Sequence, residues 1–341
     1  MTVPTGGDRG AAIRGVAMAV PSRSVSNQEI APRMGVNEDW IAKRTGTSSR
    51  PWAVEGERLT DFAARAGSGA LARAQVDPLD LDLVLVATST ADEITPNAAP
   101  LVAGLVGAER AGALDLGSAC TGWLAGLALA CGQIESGRAS HALVVGADFL
   151  SRFLDFSDRA TAPLFADGAG AAVLSETSGP EGRIGPVLLH ADHSGADLIR
   201  LERGKSISMQ GQETFRAAVA SLTAVTHEAL DASGLALGDI DLFVYHQANS
   251  RIIRAVGERL GLPSERVVDY VDRFANSSTA TLPIALSVAE AEGRLHPGHH
   301  VLLASFGGGF TWGATVLEWH PNPVPAVSTS GAVPTRGSAA S

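Results

Sequence analysis

Leu114-Asp115-Leu116-Gly117-Ser118-Ala119-Cys120-Thr121-Gly122-Trp123-Leu124-Ala125-Gly126-Leu127-Ala128-Leu129-Ala130 is the stretch on which the reading of this chain turns. It opens with the apolar alternation of a strand, passes through small residues that permit a sharp turn, and continues as an Ala/Leu/Gly run too apolar for a surface helix. Cys120 therefore falls where a strand hands over to the N-terminus of a buried helix. Unpaired amide groups and the positive end of the helix dipole favour a thiolate there, which predicts a pKa lowered by about a unit or more. The plainer alternative is a small buried core cysteine, the common fate of a single Cys.

The rest of the chain decides between them. Its 341 residues suffice for one large domain or two ordinary ones. Hydrophobic residues make up 45% but aromatics only 5%, and glycine numbers 38, so the interior must be Ala, Val, Leu and Gly in closely spaced helix and sheet layers. A formal net charge of -10 argues against nucleic acid as a partner, since phosphate binding relies on surplus Lys and Arg. Two cysteines without paired spacing indicate a reducing compartment. Met1 to Gly10 has no apolar core of a signal peptide, and no apolar run is long enough to span a bilayer, so the expected location is the cytoplasm.

Buried strands are expected at Asp80–Ala87 and Ala142–Asp148, each a nearly continuous apolar run, and a glycine-rich one at Ala166–Leu174. Thr60–Ala74 has the spacing of an amphipathic helix, and Asn37 caps a turn carrying Trp40 and Arg44. After Ser178 the pattern restarts. Asp239–His246 echoes Asp80–Ala87 and Val301–Ala304 echoes Ala142–Val145, with Asp82/Asp241 and Ala142/Val301 separated by the same 159 residues. A constant offset over several elements implies a duplicated α/β half: residues 1–178, then 179–320, with a shared interface where an active site would lie. Residues 321–341 collapse to Pro, Ser, Ala, Gly and Thr, the composition of a disordered tail.

The second half adds His246, at the end of a buried strand, and Asn276, in a turn before an apolar helix near the repeat-equivalent of Cys120. Singly they read as a strand-end hydrogen-bonder and a helix cap. Together with Cys120 they make a nucleophile and two polar partners.

Ser118-Ala119-Cys120-Thr121-Gly122, Tyr245-His246-Gln247-Ala248-Asn249, Asn276-Ser277-Ser278 and Phe306-Gly307-Gly308-Gly309-Phe310-Thr311-Trp312-Gly313 resemble, in order, the signatures of the β-ketoacyl-acyl-carrier-protein synthase III family. The likeness runs from about Ile13 to Trp319. It implies a thiolase fold, two α/β halves in a five-layer αβαβα sandwich. It further implies that Cys120 is acylated from acyl-CoA, that His246 and Asn276 hold the thioester carbonyl of a malonyl-carrier protein, and that the N–H groups of Cys120 and Gly308 form an oxyanion hole. No metal or redox cofactor is expected. Trp40 and Arg159 match the positions that sandwich the adenine of coenzyme A, Arg44 lies near its phosphates, and Phe306 belongs to the substrate site. Arg216, Arg251, Arg254 and Arg259 match a basic patch for an acidic carrier protein, interrupted by Glu258, and a homodimer is implied. Thr95 replaces a bulky residue that closes the acyl tunnel across the dimer interface, and Trp123 replaces Phe. Both departures, with a short link from His190 to Met209, suggest a specialised starter unit, as in polyketide priming.

Two other readings compete. An acyltransferase would keep the acyl-cysteine but form no carbon–carbon bond, and a non-catalytic partner would keep only the fold. Cys131 reads as core, Asp167-Gly168-Ala169-Gly170 lacks the spacing of a dinucleotide loop, Gly204-Lys205-Ser206 lacks the upstream glycine of a P-loop, and the nine histidines show no metal-ligand spacing.

Overall fold

The structure is a computed structural model that describes residues 9–179 and 181–322. In the first sheet the strand order is Gly10–Ala19, Asp167–Thr177, His141–Phe149, Leu83–Ala87, Gly112–Leu116. The last three run parallel and the first two are joined antiparallel. The second sheet repeats the arrangement with Leu242–Tyr245, His300–Gly307, Thr311–Glu318 and Leu188–Ala191, the first pair parallel and the rest antiparallel.

Side-chain alternation along these strands sorts the core into layers. Val84, Val86, Leu143 and Val145 face outward onto the helices Leu59–Ala74 and Ala98–Val106, packing with Phe62, Ala66 and Val102. Leu85, Ala142 and Val144 face the other way, onto the helices Gly122–Glu135 and Thr281–Ala291. Those helices pack in turn against Val244 and Leu303 of the second sheet, whose opposite face is covered by Gly211–Ser233 and Ser250–Leu260. Both sheets are thus buried on two faces, which is why their strands read as unbroken apolar runs. The order is helix, sheet, helix, sheet, helix, as the resemblance implied. The two sheets belong to one packed body, since the central helices Gly122–Glu135 and Thr281–Ala291 share a core.

The duplication is closer than the sequence alone suggested. The helices beginning at Gly122 and Thr281 are 159 residues apart, and so are the 3₁₀ turns Ala119–Thr121 and Ser278–Ala280 that precede them. Even the strained residue repeats: Ala119 has φ 43° and Ser278 φ 52°, left-handed values rare without glycine. The true repeat-equivalent of Cys120 is therefore Thr279, not Asn276, which lies three residues earlier.

Pro321 and Asn322 correct one end of the expected tail. Asn322 is held to the first half by its backbone N–H to the Arg14 carbonyl and its side chain to that of Ala74. Residues 323–341 lie outside the described residues.

Candidate active site

Cys120 sits in the turn Ala119–Thr121, with the Ser278 hydroxyl 3.4 Å from its Sγ. Its carbonyl accepts from Ser305 Oγ at 2.8 Å, so the second sheet holds the nucleophile's backbone. At Gly307 a Cβ would come 2.8 Å from Cys120 N and 3.1 Å from its Cβ, so only glycine admits the cysteine turn this close to the strand end. Next to it, Gly308 has Ala119 Cβ 3.8 Å from its own Cβ position, which places the first two glycines of the run against the cysteine turn.

The expected low thiol pKa is overturned. Burial pushes the Cys120 thiol up to about 12, with the Asp148 carboxylate acting in the same direction and the Ser278 hydrogen bond opposing.

His246 directly follows the strand Leu242–Tyr245, fixed by its N–H to the Ala304 carbonyl. It is buried, its Nδ1 lies 2.6 Å from Thr281 Oγ1, and its ring meets the edge of Phe306 at 5.4 Å. Loss of hydration lowers its pKa to about 3, so the imidazole is neutral at working pH. Asn276 is held by backbone bonds to Leu164 and Ala166, and its Oδ1 accepts from Ser278 N at 2.8 Å. With the oxygen engaged, the amide nitrogen is the group left for a ligand.

Cys120, His246, Asn276 and Phe306 line one cavity of about 490 Å³, whose walls include Leu164, Phe165, Ile199 and Met209. Arg44, Arg159, Arg216 and Arg251 are exposed residues of the same lining, so a basic rim leads to a buried catalytic end. Trp40 also lines it, positioned by Asn37, which caps the helix Glu38–Thr45. Arg44 lies over the Trp40 ring, at 4.5 Å, while Arg159, in the lining of the same cavity, is bound to the carbonyls of Met34 and Gly35.

The four arginines of the expected patch separate into two groups. Arg216 and Arg251 are at the cavity rim, Arg216 paired with Glu213 and Arg251 over the Phe215 ring. Arg254 and Arg259 are exposed further along the helix Ser250–Leu260, with exposed Glu258 between them in sequence, and are not among the cavity's lining. Thr95, exposed before the helix Ala98–Val106, is likewise outside the lining of the chain's own cavity. Cys131 packs in the central core as expected, and Trp123 is fully buried with its indole N–H on the Val144 carbonyl.

Sequence reading missed Ser278 and Thr281, which touch the sulfur and the imidazole, and Asn249, whose amide donates to the Arg44 carbonyl and ties the Trp40 helix to the second half. The 159-residue offset would have exposed the first, by aligning Ser278 with Ala119.

Comparison with known proteins agrees with this geometry. Residues 114–193 match the family model of 3-oxoacyl-[acyl-carrier-protein (ACP)] synthase III and residues 230–319 that of its C-terminal part. The β-ketoacyl-[acyl-carrier-protein] synthase III of Rhizorhabdus wittichii is 41% identical, over 91% of this chain and 100% of its own. A Streptomyces coelicolor relative, synthase III 3, is 38% identical over 91% and 98%. The crystal structure of the Aquifex aeolicus synthase III superposes with a TM-score of 0.88 at 36% identity, covering 91% of this chain and 100% of that one. That of a priming β-ketosynthase from a polyketide biosynthetic pathway does so with 0.89 at 35%, covering 92% and 98%. The chain carrying Cys120, His246 and Asn276 on one cavity belongs to the β-ketoacyl-acyl-carrier-protein synthase III family.

Proposed function

We propose that this chain catalyses a decarboxylative condensation that starts a fatty-acid or polyketide chain, in two half-reactions on Cys120. In the first, the sulfur attacks an acyl-CoA thioester; coenzyme A leaves as its thiol, carrying the proton that the cysteine gives up. The oxyanion of the tetrahedral intermediate is received by the N–H groups of Cys120 and Gly308. In the second, a malonyl-carrier protein loses CO2, and the negative charge that builds on its thioester oxygen is met by His246 and Asn276. The resulting carbanion attacks the acyl-cysteine and expels the sulfur, giving a 3-ketoacyl thioester. Electrons and atoms balance without a metal or redox cofactor.

The observation that carries the reading is the orientation of Asn276. Its oxygen is committed to Ser278 N, so its nitrogen is a donor, and it shares the cavity with a neutral imidazole and a thiol. A simple acyl transfer has no use for two further donors beside the oxyanion hole. At the rim, Trp40, Arg44 and Arg159 suit the adenine and phosphates of coenzyme A, an aromatic face and guanidinium groups being natural partners for a base and an anion. Arg216, Arg251, Arg254 and Arg259 would steer an acidic carrier protein despite the net charge of -10.

A second copy of the chain is the partner that best suits the edge of the first sheet. Gly112–Leu116 pairs only with Leu83–Ala87 among the described residues, and the apolar side chains around it are bare, with Ile94 76% and Leu105 57% exposed. Such a dimer would let Thr95 reach a neighbouring acyl pocket that its own chain does not bring it to. Among the described residues no helix is long and apolar enough to cross a membrane. Two free cysteines, one of which must stay reduced to react, suit a cytoplasmic enzyme.

The test separates the half-reactions. Intact-mass measurement after incubation with a panel of acyl-CoAs should show one acyl adduct, and CO2 release from malonyl-carrier protein should follow. His246→Ala and Asn276→Ala should keep the adduct and lose CO2 release by about 10²–10³-fold each. An adduct without CO2 release from the unaltered enzyme would leave plain acyl transfer as the activity.

A further inference from the structure

His246 can serve its proposed role only if the nitrogen facing the cavity carries the hydrogen. A neutral imidazole has one N–H, and burial keeps this ring neutral, so the tautomer decides whether the group is a donor or an acceptor. That choice is made behind the ring. Nδ1 lies 2.6 Å from Thr281 Oγ1, a buried hydroxyl at the start of the helix Thr281–Ala291 that does not line the substrate cavity.

The Thr281 hydroxyl has two acceptors in reach and one hydrogen. One is Nδ1; the other is the Ser278 carbonyl, 3.1 Å from Oγ1. If the hydrogen pointed to Ser278, Nδ1 would have to be the protonated nitrogen, and Nε2 would present a lone pair to the thioester oxygen. Two acceptors facing each other in a dry cavity repel. The Ser278 carbonyl, however, already accepts the backbone N–H of Thr281 in the 3₁₀ turn, and its contact with the hydroxyl is the longer by half an ångström. The hydrogen therefore belongs on the short contact to Nδ1.

We infer that Thr281 is a positioning residue that fixes His246 as the Nε2–H tautomer, so that the imidazole faces the malonyl thioester as a hydrogen-bond donor. The ring is clamped between this hydroxyl and the edge of Phe306, so its plane is set as well as its proton. Thr281 touches the imidazole directly and meets Ser278 only at that residue's carbonyl, whereas Cys120 takes its contacts from the Ser278 hydroxyl, Ser305 and the glycine run. The effect of Thr281 is thus confined to the decarboxylation half-reaction, and it rests on the condensing activity proposed above.

The experiment compares Thr281→Val, which keeps the branched shape without the hydroxyl, with Thr281→Ser, which keeps the hydroxyl. Thr281→Val should lower CO2 release from malonyl-carrier protein by about 10- to 100-fold, the scale on which a wrong histidine tautomer damages a catalytic site. Single-turnover acylation of Cys120 should stay within about twofold in the same variant, and Thr281→Ser should recover most of the CO2 release. Long-range proton–nitrogen NMR of the 15N-histidine-labelled enzyme, with His246 assigned by its loss in His246→Asn, should show Nε2 protonated in the unaltered chain. Equal damage to both half-reactions without rescue by serine, or unchanged CO2 release in Thr281→Val, would overturn the inference. So would an Nδ1–H tautomer in the unaltered chain, a result that needs no variant to fold. Absence of CO2 release from the unaltered enzyme would instead fail the condensing function itself.

Discussion

The turn Ala119–Thr121 and the turn Ser278–Ala280 are the same backbone device used to opposite ends. Each begins with a left-handed residue, each leads into an apolar central helix, and each is packed against a strand of the other half. At the central position one carries Cys120 and the other Thr279. The facing residues are also repeat-equivalents, 159 apart: Gly307 stands beside Cys120, and Asp148 beside Thr279. On the Thr279 side the carboxylate closes the structure. Asp148 accepts from Ser89 N, Thr90 Oγ1, Thr279 N and Thr279 Oγ1, and Thr279 Oγ1 also meets the Ala87 carbonyl. Both the N–H and the hydroxyl of Thr279 thus have protein partners, and the site is a lock between halves. On the Cys120 side a glycine replaces the carboxylate. The space that Asp148 fills in one half is left in the other for a thiol and, as we propose, for the substrate's oxyanion.

The comparison teaches that reactivity here depends on what is left out as much as on the nucleophile. A direct way to break it is to exchange the two residues, as Cys120→Ala with Thr279→Cys. The moved thiol would occupy a fully enclosed position facing Asp148 and Ala87, so no acyl adduct should form. Condensation should fall by at least about 10³-fold, as when a catalytic nucleophile is deleted. An adduct at position 279, found by peptide mass mapping, would show that the two turns are equally open and that the contrast drawn here is false.

A smaller effect is expected from the glycine. Gly307→Ala places a methyl group against the Cys120 amide, and the cysteine turn must shift or the strand end must give. A displacement near 1 Å at a reacting centre costs roughly 10²-fold in rate. Single-turnover acylation by acyl-CoA should slow by about that factor. Gly308→Ala, whose nearest neighbour is the Ile199 carbonyl at 3.2 Å, should slow it less. If both variants acylate at the original rate, the strand end does not set the position of the sulfur.

Much of this site was legible before any coordinates. The apolar strand runs disclosed sheets covered on both faces, and Cys120, His246 and Asn276 were found as three junction residues that the duplication would bring together; they share one cavity. What escaped was whatever depends on orientation. Asn276 reads as a helix cap in sequence, and only the bond from Ser278 N shows which end of its amide is free. Nothing in the sequence shows that two backbone carbonyls hold Arg159 or that Arg44 covers the Trp40 ring. Thr281 gave no signal, because a hydroxyl behind a histidine looks like any threonine at a helix start. The helix N-terminus that would lower the thiol pKa can be read from sequence, whereas the burial that raises it cannot.

That misjudged thiol supplies the finest test of the contrast between the turns. The helices at Gly122 and Thr281 present like N-termini to their turns, but only Cys120 ionises and can report on its surroundings. With burial outweighing the helix end, the folded chain prefers the thiol, and the thiolate fraction should rise about tenfold per pH unit until about pH 12. Alkylation of Cys120 by neutral iodoacetamide, followed by peptide mass spectrometry between pH 7 and 9.5, should therefore climb with unit slope and no plateau. The linked effect on stability has a definite sign. A thiol pKa raised above its unfolded value of 9.0 contributes stability that is complete below pH 9 and is lost as pH rises from 9 toward 12. Cys120→Ala should accordingly narrow its stability deficit against the unaltered chain over that range. A labelling rate that levels off below pH 8 would mean the helix end outweighs burial, and the two turns would then differ in charge as well as in enclosure.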